Sequence, residues 1–165
     1  MSVSLSDFKI GMRQLTAGVS VVTSCHKGSL AGMTVTAVTS LSAEPPMLLA
    51  CLNRSGQTYK IIEQSRVMCV NILSVTQTEL AAHFAKPSDH KFQHCDWTEA
   101  VTGAPVINNA AVSFDCRVKD IVEAGTHGIV IGEILDITVS EKTDCLIYGN
   151  GQYGAFAAQE LTSCP

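Results

Sequence analysis

The sequence predicts a mainly β protein with short flanking helices, arranged as an antiparallel barrel that is closed or split. Three observations carry that prediction. Runs rich in Val, Ile, Leu and Thr recur along the chain, bounded by Gly, Pro, Asn and Ser turns. The helix-like segments are short and scattered between those runs. The strict strand-helix alternation that would mark a parallel sheet is missing.

The elements follow in order. Ser6 can cap a helix running to about residue 15, with Phe8, Met12 and Leu15 on one apolar face and Gly18 ending it. Residues 19–25, VSVVTSC, then Lys27-Gly28-Ser29, then residues 30–40, LAGMTVTAVTS, read as strand, hairpin turn and strand. After the Pro45-Pro46 break, MLLACLN (47–53) is a buried strand. Residues 56–64 form a helix with Ser55 as N-cap. VMCVNIL (67–73) is the next buried strand, and residues 77–85 a second short helix with Leu80 and Phe84 four apart. Residues 86–109 show no clear period and read as a long, partly ordered loop; such loops are usually functional or covered. Two long alternating strands follow, at about residues 111–122 and 128–139, then a short one at 145–148. No repeat or linker interrupts the 165 residues, so residues 1–165 form one domain.

Composition narrows the function. With 46% hydrophobic residues the chain can build a full core, but aromatics are 5%, so that core must be largely aliphatic. A net charge of −4 without any basic run argues against nucleic acid. No apolar run approaches membrane-spanning length. The opening MSVSLSDFKIGM lacks the basic head and apolar centre of a signal peptide. The seven cysteines, Cys25, Cys51, Cys69, Cys95, Cys116, Cys145 and Cys164, are odd in number and form no C-x-x-C pair. Cys51, Cys69 and Cys116 sit in apolar runs, where Cys acts as a small hydrophobe. The expectation is a cytoplasmic protein with free thiols.

Residues 32–59, GMTVTAVTSLSAEPPMLLACLNRSGQTY, are the most informative. Small and hydroxyl-bearing residues lie on a strand, along which a flat, polar-edged ring can rest. A second strand runs into Asn53-Arg54-Ser55-Gly56 at a helix start, where free N–H groups and the helix dipole favour an anion. A ring plus a phosphate is the outline of a flavin nucleotide. Other motifs carry less. Gly149, Gly151 and Gly154 spell a dinucleotide fingerprint, but only 11 residues follow, too few for its helix and second strand. They read as a glycine-rich turn after the last strand. His90, His94 and Cys95 lack a predicted helix and a further ligand, so no metal is expected. Ser88 to Lys91 spells S-x-x-K without its companion motifs, so no serine nucleophile is expected.

Several strings stand in a family order: Glu44-Pro45-Pro46, Asn53-Arg54-Ser55, Val70-Asn71-Ile72-Leu73, Lys91-Phe92, Gly125-Thr126-His127 and the segment 148–153. Over about residues 6–156 the sequence resembles the flavin reductases that supply reduced flavin to two-component monooxygenases. Each string is weak alone; their ordered sum is specific. The resemblance implies an antiparallel Greek-key split β-barrel, flavin reductase-like, that pairs as a homodimer. It implies hydride transfer from NADH or NADPH to FMN or FAD, with reduced flavin diffusing to a monooxygenase.

The resemblance also assigns roles. Thr34, Val35, Thr36, Ser40 and Cys51 would meet the flavin ring and its polar edge. Asn53, Ser55 and Thr58 would meet ribityl or phosphate, with Arg54 a further candidate. Lys91 would neutralise the phosphate, Phe92 would cover the flavin, and Tyr153 would lie over the stacked rings. His127 would position the nicotinamide; the family's usual turn is Gly-Asp-His, and Thr126 replaces the Asp here. Each has a plainer reading: Thr as strand filler, Ser55 as a simple cap, His127 as a surface turn residue, Tyr153 as a core aromatic. Two alternatives share the barrel, a flavin-bound electron carrier and a non-enzymatic flavin-binding module. A third, a pyridoxamine-phosphate-type oxidase, needs basic phosphate ligands that the sequence does not display.

Overall fold

The computed structural model describes residues 3–88, 90–140 and 144–157. Its elements are α1 (Leu5–Met12), β1 (Ala17–Gly18), β2 (Ser20–His26), β3 (Ser29–Val35), β4 (Val38–Ala43), β5 (Pro46–Asn53), α2 (Gln57–Ser65), β6 (Val67–Ile72), α3 (Thr78–Ala85), β7 (Trp97–Glu99), β8 (Pro105–Ile107), β9 (Val112–Ala124), β10 (His127–Val139), β11 (Leu146–Gly149) and β12 (Gln152–Ala155). Among the described residues, seven strands form one sheet in the order β3-β2-β6-β9-β10-β5-β4, and every pairing is antiparallel. Hairpins β2-β3, β4-β5 and β9-β10 are joined by the long-range pairs β2-β6, β6-β9 and β5-β10, as in a Greek key.

The two edges of that sheet, β3 and β4, are consecutive in the chain. Only Thr36 and Ala37 separate them. Three peptide steps reach at most about 11 Å, so opposite edges of a seven-stranded sheet come close together. The sheet must therefore curl into a barrel split between β3 and β4. The interior is aliphatic, as the composition requires: Val22, Leu48, Ala50, Leu52, Ile62, Met68, Val70 and Val130 pack together, with Tyr59 as the large aromatic. A second sheet, β1-β11-β12, abuts the first through Val19 N to Leu146 O (2.8 Å) and Leu73 N to Val19 O (2.9 Å).

Local differences from the sequence reading have physical causes. Ser4, not Ser6, caps α1: its Oγ accepts from the Asp7 N–H at 3.0 Å. The helix ends at Met12 and buries no residue, and Gly18 lies in β1 rather than stopping the helix. The apolar face exists, but Phe8 and Leu15 stay exposed. Residues 30–40 form two strands, not one, because the chain turns the barrel edge at residues 36–37. Gly56, not Ser55, is the N-cap of α2, without any side-chain bond. Beyond the predicted last strand, the glycine-rich turn leads into β12, which pairs with β11.

Residues 86–109 are more ordered than expected. They hold a 3-10 turn at Lys91–His94 and the β7-β8 hairpin. Buried polar groups organise the segment. Asn71 is fully buried on β6, and its Oδ1 accepts from Ile107 N (2.9 Å) and Ser113 Oγ (2.8 Å) while its Nδ2 donates to Val21 O (3.0 Å). The Asp115 carboxylate accepts from the Thr102 N–H at 2.8 Å and from its hydroxyl. The Thr23 hydroxyl donates to Pro105 O. Three-residue strands are too short to show a period.

Asn71→Ala should therefore destabilise the protein by about 2–4 kcal/mol, since it leaves buried donors without an acceptor. Ser113→Ala, which removes one donor and leaves Asn71 its other partners, should cost about 1 kcal/mol. Urea midpoints at unchanged slope measure both; equal shifts would remove Asn71 from its central place.

Candidate functional site

Two clefts meet at the split. The first, about 400 Å³, is lined by Met33, Thr34, Val35, Thr36 and Ala37 at the turned edge, by Cys51 and Asn53 of β5, and by His127, Tyr148 and Tyr153. The second, about 730 Å³, shares Met33, Thr34, Asn53 and Ala85 with the first. It runs past Ser55, Gly56, Gln57 and Thr58 to Phe84, Lys91 and Phe92. Every residue proposed for the site from sequence lines one cleft or both, except Ser40 and the further candidate Arg54. Ser40 is exposed on β4 opposite Leu48 and is not among the lining residues of either.

Asn53 is the hinge of the site. Its Oδ1 accepts from the Ser55 N–H (3.0 Å) and the Ser55 hydroxyl (2.9 Å), an Asx turn. Those bonds orient the amide, so Nδ2 is the group left to donate to a ligand. Ser55 thus acts through Asn53 rather than as a helix cap. The first N–H groups of α2 have no intrahelical acceptor and no side-chain cap. Gln57 and the buried Thr58 carry that helix end into the second cleft, where the dipole favours an anion.

Several groups that look ligand-directed in the sequence are already engaged. The Thr34 hydroxyl donates to Ala81 O at 2.7 Å and ties β3 to α3. The Lys91 ammonium donates to Gly32 O (2.9 Å) and Phe84 O (2.8 Å). Burial lowers its pKa, and one N–H of three remains for another acceptor. Arg54 pairs with Glu123 at 2.7 Å, and its backbone N–H donates to Thr126 O at 3.1 Å. Arg54 therefore braces the 125–127 turn. Phe92 stacks edge-to-face on Phe84 (5.3 Å) and Trp97 (6.0 Å) as part of the cleft wall. Phe84 in turn lies on β3 at Gly32, where a built Cβ would come 2.6 Å from its ring.

His127 opens β10 opposite Asn53, so imidazole and amide flank one cleft. Its Nδ1 lies 2.9 Å from the Thr126 hydroxyl. The next residue must be glycine: a Cβ on Gly128 would sit 2.3 Å from the buried Tyr59 ring. Tyr148 and Tyr153 face each other at 5.3 Å across β11 and β12. Sequence reasoning passed over Met33, Ala37, Ala85 and Tyr148. The first three carry no chemical signal; Tyr148 was visible only as part of a segment.

The six described cysteines are free, and Cys164 lies outside the described residues. Burial pushes the Cys69 thiol up, the Cys116 thiol to about 12 and the Cys95 thiol to about 11. These three stay protonated and inert at neutral pH. Cys51 is the thiol that borders the first cleft.

Fold and clefts define the class, a split barrel with two clefts along its seam and no dinucleotide-fold crevice among the described residues. The comparisons with known proteins agree. A model of the flavin reductase like domain matches residues 12–157. The FMN reductase (NADH) RutF of Variovorax paradoxus is 39% identical over 155 residues, 93% of this chain and 86% of the relative. Nitrilotriacetate monooxygenase component B from Mycobacterium thermoresistibile superposes with a TM-score of 0.89 at 28% identity, over 97% of this chain and 90% of that one. The Streptomyces globisporus NADH:FAD oxidoreductase, solved with NAD and FAD fragments, gives 0.89 at 27% identity, over 97% and 99%. The chain belongs to the flavin reductase-like domain family.

If a ligand fills the first cleft, Cys51 should be shielded. FMN at saturation should slow alkylation of Cys51 by iodoacetamide and leave the exposed Cys145 unaffected, read by peptide mass spectrometry. Equal slowing, or none, would place the flavin elsewhere.

Proposed function

We propose that the protein oxidises NADH and reduces FMN, holding the flavin along the seam with its phosphate at the α2 N-terminus and the nicotinamide at the His127 end. One observation carries this reading: the two clefts share Thr34 and Asn53, so a ring site and an anion site form one continuous groove. The residues fit such a ligand. The groove offers orphan N–H groups, an oriented amide donor and aromatic walls, and it has the volume of a mononucleotide site. A bound flavin supplies the chemistry by accepting hydride at N5 from nicotinamide C4. The chain's own part is to stack, orient and shield the two rings. Direct hydride transfer asks for no acid–base pair, and His127 then serves as a positioning residue. FMN and NADH are favoured over FAD and NADPH because the Variovorax relative is named for them.

The same reading places the reduced flavin with a monooxygenase that it reaches by diffusion, supported by the likeness to a monooxygenase component B. A homodimer is part of the proposal. Its support is the apolar surface left uncovered on α1, at Leu5, Phe8 and Ile10, and at Ile137 and Val139 of β10. A cytoplasmic setting is supported by the free cysteines. No helix among the described residues is long and apolar enough to cross a membrane.

The assay that tests the activity follows NADH oxidation with and without added FMN. Turnover should rise and saturate with free flavin. A carrier that keeps its flavin would instead ignore added FMN.

Two substitutions separate binding from scaffolding. Ser55→Ala should weaken FMN binding by about 1 kcal/mol, because it removes one of the two bonds that orient the Asn53 amide, and should leave the flavin-free protein as stable as before. Lys91→Ala should lower the stability of the flavin-free protein by about 1–2 kcal/mol, because two buried carbonyls lose a charged donor. Flavin titration beside urea unfolding measures both. The reverse pattern would exchange the two roles.

A further inference from the structure

The Thr126 hydroxyl lies 2.9 Å from Nδ1 of His127. The turn that carries it is fixed: Arg54 donates from its backbone to Thr126 O at 3.1 Å and from Nη1 to Gly125 O at 3.5 Å, and Glu123 holds the guanidinium at 2.7 Å. With Nδ1 engaged, Nε2 is the nitrogen of His127 that a ligand in the cleft can meet. Which form of the ring it meets depends on the partner of Nδ1. A carboxylate at that place could only accept, so it would force Nδ1–H, and in the neutral ring it would leave Nε2 a bare acceptor. A hydroxyl can also donate. Nε2–H is the intrinsically preferred neutral form of histidine, and a donating hydroxyl matches it.

We propose that Thr126 is a positioning residue whose hydroxyl donates to Nδ1 and holds His127 as the neutral Nε2–H form. The ring then presents a donor to a carbonyl acceptor in the cleft. This rests on the reading that the nicotinamide lies at His127; the acceptor is then the carboxamide oxygen, and the hydrogen bond sets the rotation of the ring over the flavin. Thr126 thereby selects for a ligand that brings a carbonyl, rather than an N–H, to this end of the groove.

Long-range proton–nitrogen NMR spectra of the ¹⁵N-labelled, FMN-loaded protein read the tautomer directly. The five histidines are few enough to resolve, and His127→Ala identifies the signal by its loss. The wild type should show the Nε2–H pattern, kept in Thr126→Ser. Thr126→Val should give a mixture of tautomers, and Thr126→Asp should give Nδ1–H. In stopped-flow reduction, the Val and Asp variants should raise the apparent KM for NADH roughly two- to tenfold, the worth of one neutral hydrogen bond. The Ser variant should restore it, and flavin affinity should not move in any of them. An Nδ1–H pattern in the wild type overturns the proposal, as does a Val variant identical to wild type in spectrum and NADH dependence. If the tautomers respond as described but His127→Ala itself leaves the NADH dependence untouched, the placement of the nicotinamide fails while the role of Thr126 toward the ring stands.

Discussion

The two-residue link between β3 and β4 governs the rest of the molecule. Thr36 and Ala37 join opposite edges of a seven-stranded sheet, and backbone bonds hold the link in place: Cys51 N donates to Ala37 O at 2.9 Å and Val38 N to Thr36 O at 3.1 Å. Two edges so close cannot belong to a flat sheet. The sheet curls, and a seam opens where the curl stays incomplete. In the sheet, β3 pairs with β2 alone, so its other side carries backbone donors and acceptors without a strand partner. Such an edge is normally an aggregation hazard. Here α3 and the segment around Lys91 close over one part of it, and the groove occupies the remainder.

That arrangement explains why the prominent polar side chains around the groove mostly serve the protein. Thr34 and Lys91 fasten the cover to β3, and Arg54 fastens the His127 turn. What remains for a ligand includes a small set of donors: N–H groups at the start of α2, one N–H of Lys91, the Asn53 amide and His127 Nε2. Two of them are held by a neighbour, the amide by Ser55 and the ring by Thr126. The scarce aromatics are concentrated in the same place, with Phe84 and Phe92 walling one cleft and Tyr148 and Tyr153 the other. A site of oriented donors and aromatic walls suits a reaction whose chemistry belongs to the ligand.

Much of this was legible in the sequence. Long alternating strands at β9 and β10 and the apolar run of β5 declare themselves by periodicity. The Asn53-Arg54-Ser55-Gly56 turn announced a helix start, and α2 begins directly after it. The ordered short strings carried the family and, with it, eleven of the residues that line the two clefts, fewer than half of them. Three things were not legible. Ser55 and Gly56 are both acceptable caps, and only the Asx turn at Asn53 decides between them. The β7-β8 hairpin depends on Asn71 and Asp115, which lie outside it in sequence, so no local pattern announces it. Ser40 shares the hydroxyl chemistry of Thr34 and Thr36, but it lies beyond the bend at residues 36–37, on the far edge of the sheet. A period-two reading of one continuous strand could not see that bend.

A crystal structure of the protein with FMN and oxidised nicotinamide nucleotide tests the central claim most directly. The phosphate should lie against the N–H groups of Gln57 and Thr58, the flavin ring along Met33 to Val35 with Asn53 Nδ2 as a donor, and the nicotinamide between the flavin and His127. A flavin phosphate bound away from the α2 N-terminus, or a nicotinamide with no contact to His127, would contradict it.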